Sequence, residues 1–222
     1  MRRSDILFLA ALAVPVMALA QSQPALNHAL AMMQKPTLPL ALQTLTPTRS
    51  ERAALAAARA NSARLVETIN AYHKRNGSPP VDMQAVNRTQ VPVLIVPAGP
   101  LYQAFQIFST RDHYVLSGGD ALNGVVVTGT RVTQLLKGQS AIPPLDSKLQ
   151  IVLDQAHAAS GASDPITDVS VSLTEDGAEA SFRRFGALYD LRLACAKQDA
   201  PECSVEQAVK LIGGSVLLGG GS

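Results

Sequence analysis

The sequence predicts an α+β fold: a long N-terminal helix, an antiparallel sheet built from two strand meanders, and a short C-terminal helix. Three observations carry this. Thr48 and Glu51 have capping-box spacing and open an alanine-rich, 3.6-periodic stretch. Short alternating runs separated by Gly-Asp turns occur twice, once on each side of Pro143-Pro144. Ser204, followed by Glu206 and Gln207, opens a final apolar stretch that ends at Gly213.

Taken in order, the chain begins with an export signal. Arg2 and Arg3 form a basic start, residues 6–16 an apolar run too short to span a bilayer comfortably, and Ala18-Leu19-Ala20 a small-x-small cleavage pattern. Cleavage is expected between Ala20 and Gln21, giving a periplasmic or secreted protein. No cysteine stands at that point to carry a lipid anchor. Residues 21–47 are rich in proline, and Pro36, Pro39 and Pro47 predict an extended arm or linker.

A single α+β domain is expected over residues 48–214, with two candidate halves at 48–134 and 147–214. The long helix runs from Thr48 to Asn76, where Gly77 and Pro79-Pro80 stop it. At about 25 residues it would be nearly 40 Å long. Leu55, Ala58, Ser62, Leu65, Ile69 and Tyr72 form its apolar stripe. Leu55, Leu65, Val66, Ile69 and Tyr72 are expected to bury its middle and end, with the alanine-rich start less covered. Arg49, Arg52, Arg59, Arg64, Lys74 and Arg75 make it basic, so it offers either a solvated face or an electrostatic contact, including peripheral contact with an anionic membrane surface.

Residues 91–97, an apolar run bounded by Pro92 and Pro97, read as a buried strand. Residues 102–108, 113–116 and 125–132 form the first meander, and 135–145 a loop. Residues 149–159 fit either periodicity; Ser147 as a cap and Gly161 as a stop favour helix. Residues 169–173, 178–183 and 188–195 form the second meander. Residues 215–222 end in glycines and are expected to fray.

The composition narrows the function classes. Net charge is +2, about +1 after cleavage, too little for nucleic acid to be a main partner. With no tryptophan, four tyrosines and five phenylalanines, aromatic platforms for sugars or bases are scarce. Cys195 and Cys203 in an exported chain are expected to form a disulfide. Closing a loop of about nine residues contributes roughly 2.5 kcal/mol in the chain-entropy model.

Enzyme templates fail on spacing: there is no H-E-x-x-H, no G-x-S-x-G and no phosphate-binding glycine loop. No catalytic residue, resident metal or cofactor is therefore assigned. His28, His73, His113 and His157 are scattered singly. His113, beside Asp112 and with Ser117 nearby, is the most suggestive, and it anchors the alternative reading of a small periplasmic hydrolase. Asp120 with Asn123 and Gly124 offers too few oxygens for a dedicated calcium loop. Arg183-Arg184 in a strand should place one guanidinium outward and one inward. The inward one needs a carboxylate, for which Asp190 or Glu179 is nearest, and an anion site is the functional use of the pair.

Residues 91–97, the run Phe182-Arg183-Arg184-Phe185-Gly186-Ala187-Leu188-Tyr189, and then Cys195 and Cys203 resemble a group of uncharacterised secreted proteobacterial proteins with a PVLLP-like strand and an RFGxxY…C…C signature, over roughly residues 90–213. The resemblance implies an envelope location and the disulfide, and it supplies no catalytic residue. The favoured reading is an exported, non-catalytic envelope-associated module that binds or assembles with an unidentified protein or envelope component.

Overall fold

A computed structural model describes residues 41–96, 105–119, 123–135, 142–197 and 200–221. The signal segment, residues 21–40 of the arm, Pro97, Asp120 and most of the 135–145 loop lie outside the described residues.

Helix α1 (Arg49–Arg75) begins where the capping box places it. The Glu51 amide donates to Thr48 Oγ1 at 3.2 Å, and the Thr48 amide donates to Glu51 Oε2 at 2.7 Å. The other oxygen of Glu51 accepts from the Gly186 amide at 3.0 Å, so the cap also ties the helix to a hairpin 135 residues away. Burial alone would raise the Glu51 carboxyl, but the amide and hydroxyl of Thr48, the Gly186 amide and the charge of Arg183 hold it below its ordinary 4.5. A carboxyl lowered in the folded state stabilises at pH values above the unfolded pKa, and that contribution is lost as pH falls through the folded one. Glu51→Gln is therefore expected to destabilise the protein at neutral pH, and the gap from wild type should close in urea titrations taken below pH 4.5.

Burial along α1 follows the expectation in part. Leu55, Ile69 and His73 are buried, whereas Leu65, Val66 and Tyr72 are only partly covered. The helix is tied at both ends, and between them Ala54, Ala58, Leu65 and Val66 pack in part against the core. At its start, Arg52 donates to the Pro47 carbonyl at 2.7 Å, and Arg59 donates to the carbonyls of Gly220 and Gly221. At its end, Asn70 accepts from the Val81 amide at 2.8 Å, and the His73 ring meets Phe105 edge-on.

Helix α2 (Met83–Arg88), capped by Asp82, has only six residues, too few for a readable periodicity. Among the described residues, ten strands follow in chain order: β1 (Ala41–Thr44), β2 (Pro92–Ile95), β3 (Phe105–Ser109), β4 (His113–Gly119), β5 (Asn123–Thr130), β6 (Val132–Leu135), β7 (Thr167–Thr174), β8 (Gly177–Arg184), β9 (Ala187–Cys195) and β10 (Val216–Gly220). Helices α3 (Ser147–Ala159) and α4 (Val205–Gly213) complete the set. Residues 149–159 are thus helical, but Asp146 rather than Ser147 is the N-cap, and the turn ends at Ser160. Ser204 caps α4 as expected.

Strands β3–β5 and β7–β9 are the two meanders. They form one antiparallel sheet in the order β3-β4-β5-β9-β8-β7, joined by the β5–β9 pairing from Asn123↔Cys195 to Thr130↔Leu188. The halves 48–134 and 147–214 are therefore not separate units: backbone hydrogen bonds join them at the sheet centre. The expected strand over 125–132 breaks after Thr130, and β6 pairs instead with β1, which places residues 41–44 of the arm in a two-stranded ribbon.

The inner sheet face carries Tyr114, Leu116, Val127, Phe182, Tyr189 and Leu191, all buried. Strand β2 crosses it: the Leu94 amide donates to the Tyr114 hydroxyl at 3.0 Å, and the Tyr189 hydroxyl donates to the Pro92 carbonyl at 2.9 Å. The C-terminal segment corrects the fraying expected of it, because β10 pairs antiparallel with β2 and buries Leu217 and Leu218. Two leucines supply the burial, and Gly219 lets the backbone approach Val86, whose side chain would lie 2.7 Å from an added Cβ.

Helix α4 packs on the same face and against α3. The contact is close enough that a Cβ on Gly213 would lie 2.6 Å from the Leu153 carbonyl oxygen. Cys195 and Cys203 are disulfide-bonded with Cα atoms 6.2 Å apart, joining the end of β9 to the 3-10 turn (Pro201–Cys203) before α4. Among the described residues, no helix is long and apolar enough to cross a membrane.

Candidate functional site

The polar residues singled out in the sequence fall mostly on the outer sheet face, spread apart. His113 is exposed at the start of β4. Strand pairing runs His113↔Thr130, Thr130↔Leu188 and Leu188↔Arg183, so His113 and Arg183 sit at opposite ends of one row, about 14 Å apart by strand spacing. Ser117 lies four residues further along β4 than His113, roughly 13 Å away. The Asp112 carbonyl accepts from Thr130 Oγ1 at 3.2 Å. The sheet thus holds His113 and Ser117 apart rather than bringing them into hydrogen-bond reach.

Further along the same face, Asp190, Arg192 and Glu179 stand beside Thr128, Ser181, Ser170 and Ser172 in a shallow groove. Arg192 bonds Asp176 at 3.0 Å and Glu179 at 3.5 Å, all about half exposed, where such pairs contribute little. Desolvation raises the Asp190 carboxyl, with Glu179 adding to it and the Thr128 hydroxyl opposing. Glu179 and Asp190 face outward, so neither can serve the inward arginine.

That inward arginine is Arg184, and its partner is Asp164, on the loop between α3 and β7. Arg184 Nε donates to Asp164 Oδ2 at 2.5 Å and Nη2 to Oδ1 at 2.8 Å, a bidentate pair. Its Nη1 donates to the Ser215 carbonyl at 2.8 Å and to Ser215 Oγ at 2.9 Å. Arg184 is 2% and Asp164 6% exposed. The position just beyond the α4 C-terminus adds a favourable helix dipole, and the guanidinium lies 4.8 Å from the Phe185 ring centroid. Sequence proximity pointed to Asp190 and Glu179; the period of 2 along β8 and β9 should have excluded both, since Glu179 shares the face of Arg183 and Asp190 is paired with Ser181.

This ion pair forms the floor of a cleft of about 430 Å³. One wall is α1: Ala54, Ala57 and Ala58 toward its start, then Asn61, Arg64, Leu65 and Thr68. The opposite wall is the segment 160–163 with Val216 and Leu217. The lining changes character along α1, from methyl groups near Ala54 to polar groups near Arg64. The hydroxyls of Thr68, Ser160 and Ser215 already donate to the carbonyls of Arg64, His157 and Ile212. The side chains of Asn61, Arg64 and Ser163 are exposed and form no hydrogen bond or ion pair among the described residues. With Asp164 neutralising Arg184, the lining among the described residues holds one uncompensated positive charge, on Arg64.

Half of the basic side chains of α1 are engaged within the fold. Arg52 and Arg59 are engaged by carbonyls, and Arg75 donates to the Ala71 carbonyl at 3.3 Å and lies against Tyr72. Arg49, Arg64 and Lys74 remain, too widely spaced along the helix to make one dense patch. No protein-family model matches this sequence, and no curated protein or solved structure matches it either, so the reading of the cleft rests on its own geometry.

Proposed function

We propose that this protein is an exported, non-catalytic binding module of the cell envelope, and that it holds a small ligand in the cleft beneath the middle of α1. The observation that carries the reading is the cleft beside α1: the helix is tied by specific bonds at both ends, and the space along it is floored by a hydrogen-bonded ion pair instead of being filled by side chains. A cleft of this size, part apolar and part polar, suits a small molecule. The export pattern ending at Ala20, together with a disulfide that suits an oxidising compartment, supports the location.

Ala57 is exposed on the cleft wall, so Ala57→Trp fills the space without disturbing the core. Native mass spectrometry of protein exported by a bacterial host and purified without detergent is expected to show a small-molecule adduct on wild type that Ala57→Trp lacks. Identical, adduct-free spectra for the two proteins would sink the reading.

A further inference from the structure

Resting on that reading of the cleft, we infer that its ligand is a linear carboxylate with an apolar chain, its head group held by Arg64 and its chain lying along the alanines of α1. Three features point this way. The first is charge. Among the described residues of the lining, Arg64 brings the one uncompensated charge, since Arg184 is already spent on Asp164 and Ser215. Glu67, one helical turn on, forms no ion pair with it among the described residues. A guanidinium with its donors free presents the planar fork that a carboxylate fits in bidentate fashion.

The second is the segregation of the lining along the helix axis. Ala54, Ala57 and Ala58 precede Asn61 and Arg64. From Ala54 to Arg64 the cleft runs about 15 Å along α1 at 1.5 Å per residue. Val216 and Leu217 lie across from this wall. A ligand polar at one end and apolar along its length matches that gradient, whereas a compact polar ligand would leave the alanine end uncovered.

The third concerns the wall itself. The carbonyls and amides of the α1 middle are satisfied within the helix, so the wall offers no ladder for a peptide backbone. A bound peptide would desolvate its amides without replacement partners. A hydrocarbon chain needs none, and the alanine methyls give it a smooth track.

The test uses the purified full protein, calorimetric titration, and decanoate below its micelle concentration. Decanoate is expected to bind wild type, and hexanoate, four methylenes shorter, about a hundredfold more weakly. Arg64→Gln, at a position whose side chain makes no contact needed for folding, is expected to weaken decanoate about tenfold while leaving 1-decanol unchanged. Equal losses for decanoate and 1-decanol would overturn the assignment of the head group to Arg64. Decanoate that fails to bind wild type, or an apolar peptide that binds in its place, would overturn the ligand class. Either failure leaves the cleft reading to the Ala57→Trp adduct comparison, which uses no assumed ligand.

Discussion

A chain ending at Ser215 is expected to lose its native fold, and Leu218→Ala alone to cost about 2–5 kcal/mol, measured as a shift of the urea midpoint. Leu218 is fully buried and Leu217 nearly so. Strand β10 is also the hydrogen-bonding partner of β2, whose Val93, Leu94 and Ile95 are entirely enclosed. Without β10, those residues lose one side of their packing and their amides lose the ladder. Arg59 would lose the carbonyls of Gly220 and Gly221 that dock the first half of α1. The sum approaches the whole stability of an ordinary domain, about 5–15 kcal/mol. A glycine-ended tail that merely frays would give a change near zero, so the measurement separates the two descriptions sharply.

The second large effect lies in the cleft floor. Asp164→Ala is expected to cost about 3–5 kcal/mol, because it leaves the Arg184 guanidinium buried without its counter-charge. Replacing both residues, as Arg184→Met with Asp164→Leu, should recover most of that loss, since burying two apolar side chains avoids the desolvation of two ions. Urea unfolding of Arg184→Met, Asp164→Leu and the double variant forms the cycle that isolates the pair. A double variant as unstable as Asp164→Ala would show that Ser215 and the α4 C-terminus, rather than the carboxylate, are what Arg184 chiefly supports.

Much of the secondary structure was readable from local chemistry. The capping box at Thr48 and Glu51, the stop at Gly77, the alternation along residues 169–173 and the cap at Ser204 each depend on atoms within a few residues of one another. The disulfide follows from two cysteines eight residues apart in a chain that reads as exported. The misreadings share one physical cause. The final glycines suggest fraying only until β2 is placed beside them, and β2 lies more than a hundred residues earlier. The inward arginine was assigned the carboxylates nearest in sequence, which the strand period turns to the opposite face.

The candidate site shows the same division. Arg183-Arg184 in a strand, with one side chain sent inward, was legible from a period of 2, and so was the basic, alanine-rich character of α1. Which carboxylate meets Arg184, and that part of the alanine-rich face borders a cleft, were decided by contacts between segments distant along the chain. Local sequence determined the helices, the strands and their faces, because caps, turns and periodicity act over a turn or two. Only tertiary structure decided the joining of the two meanders at β5 and β9, the pairing of β10 with β2, and the burial of Arg184 with Asp164. Each of these depends on which surfaces exclude water together, a property of the folded chain that no short window contains.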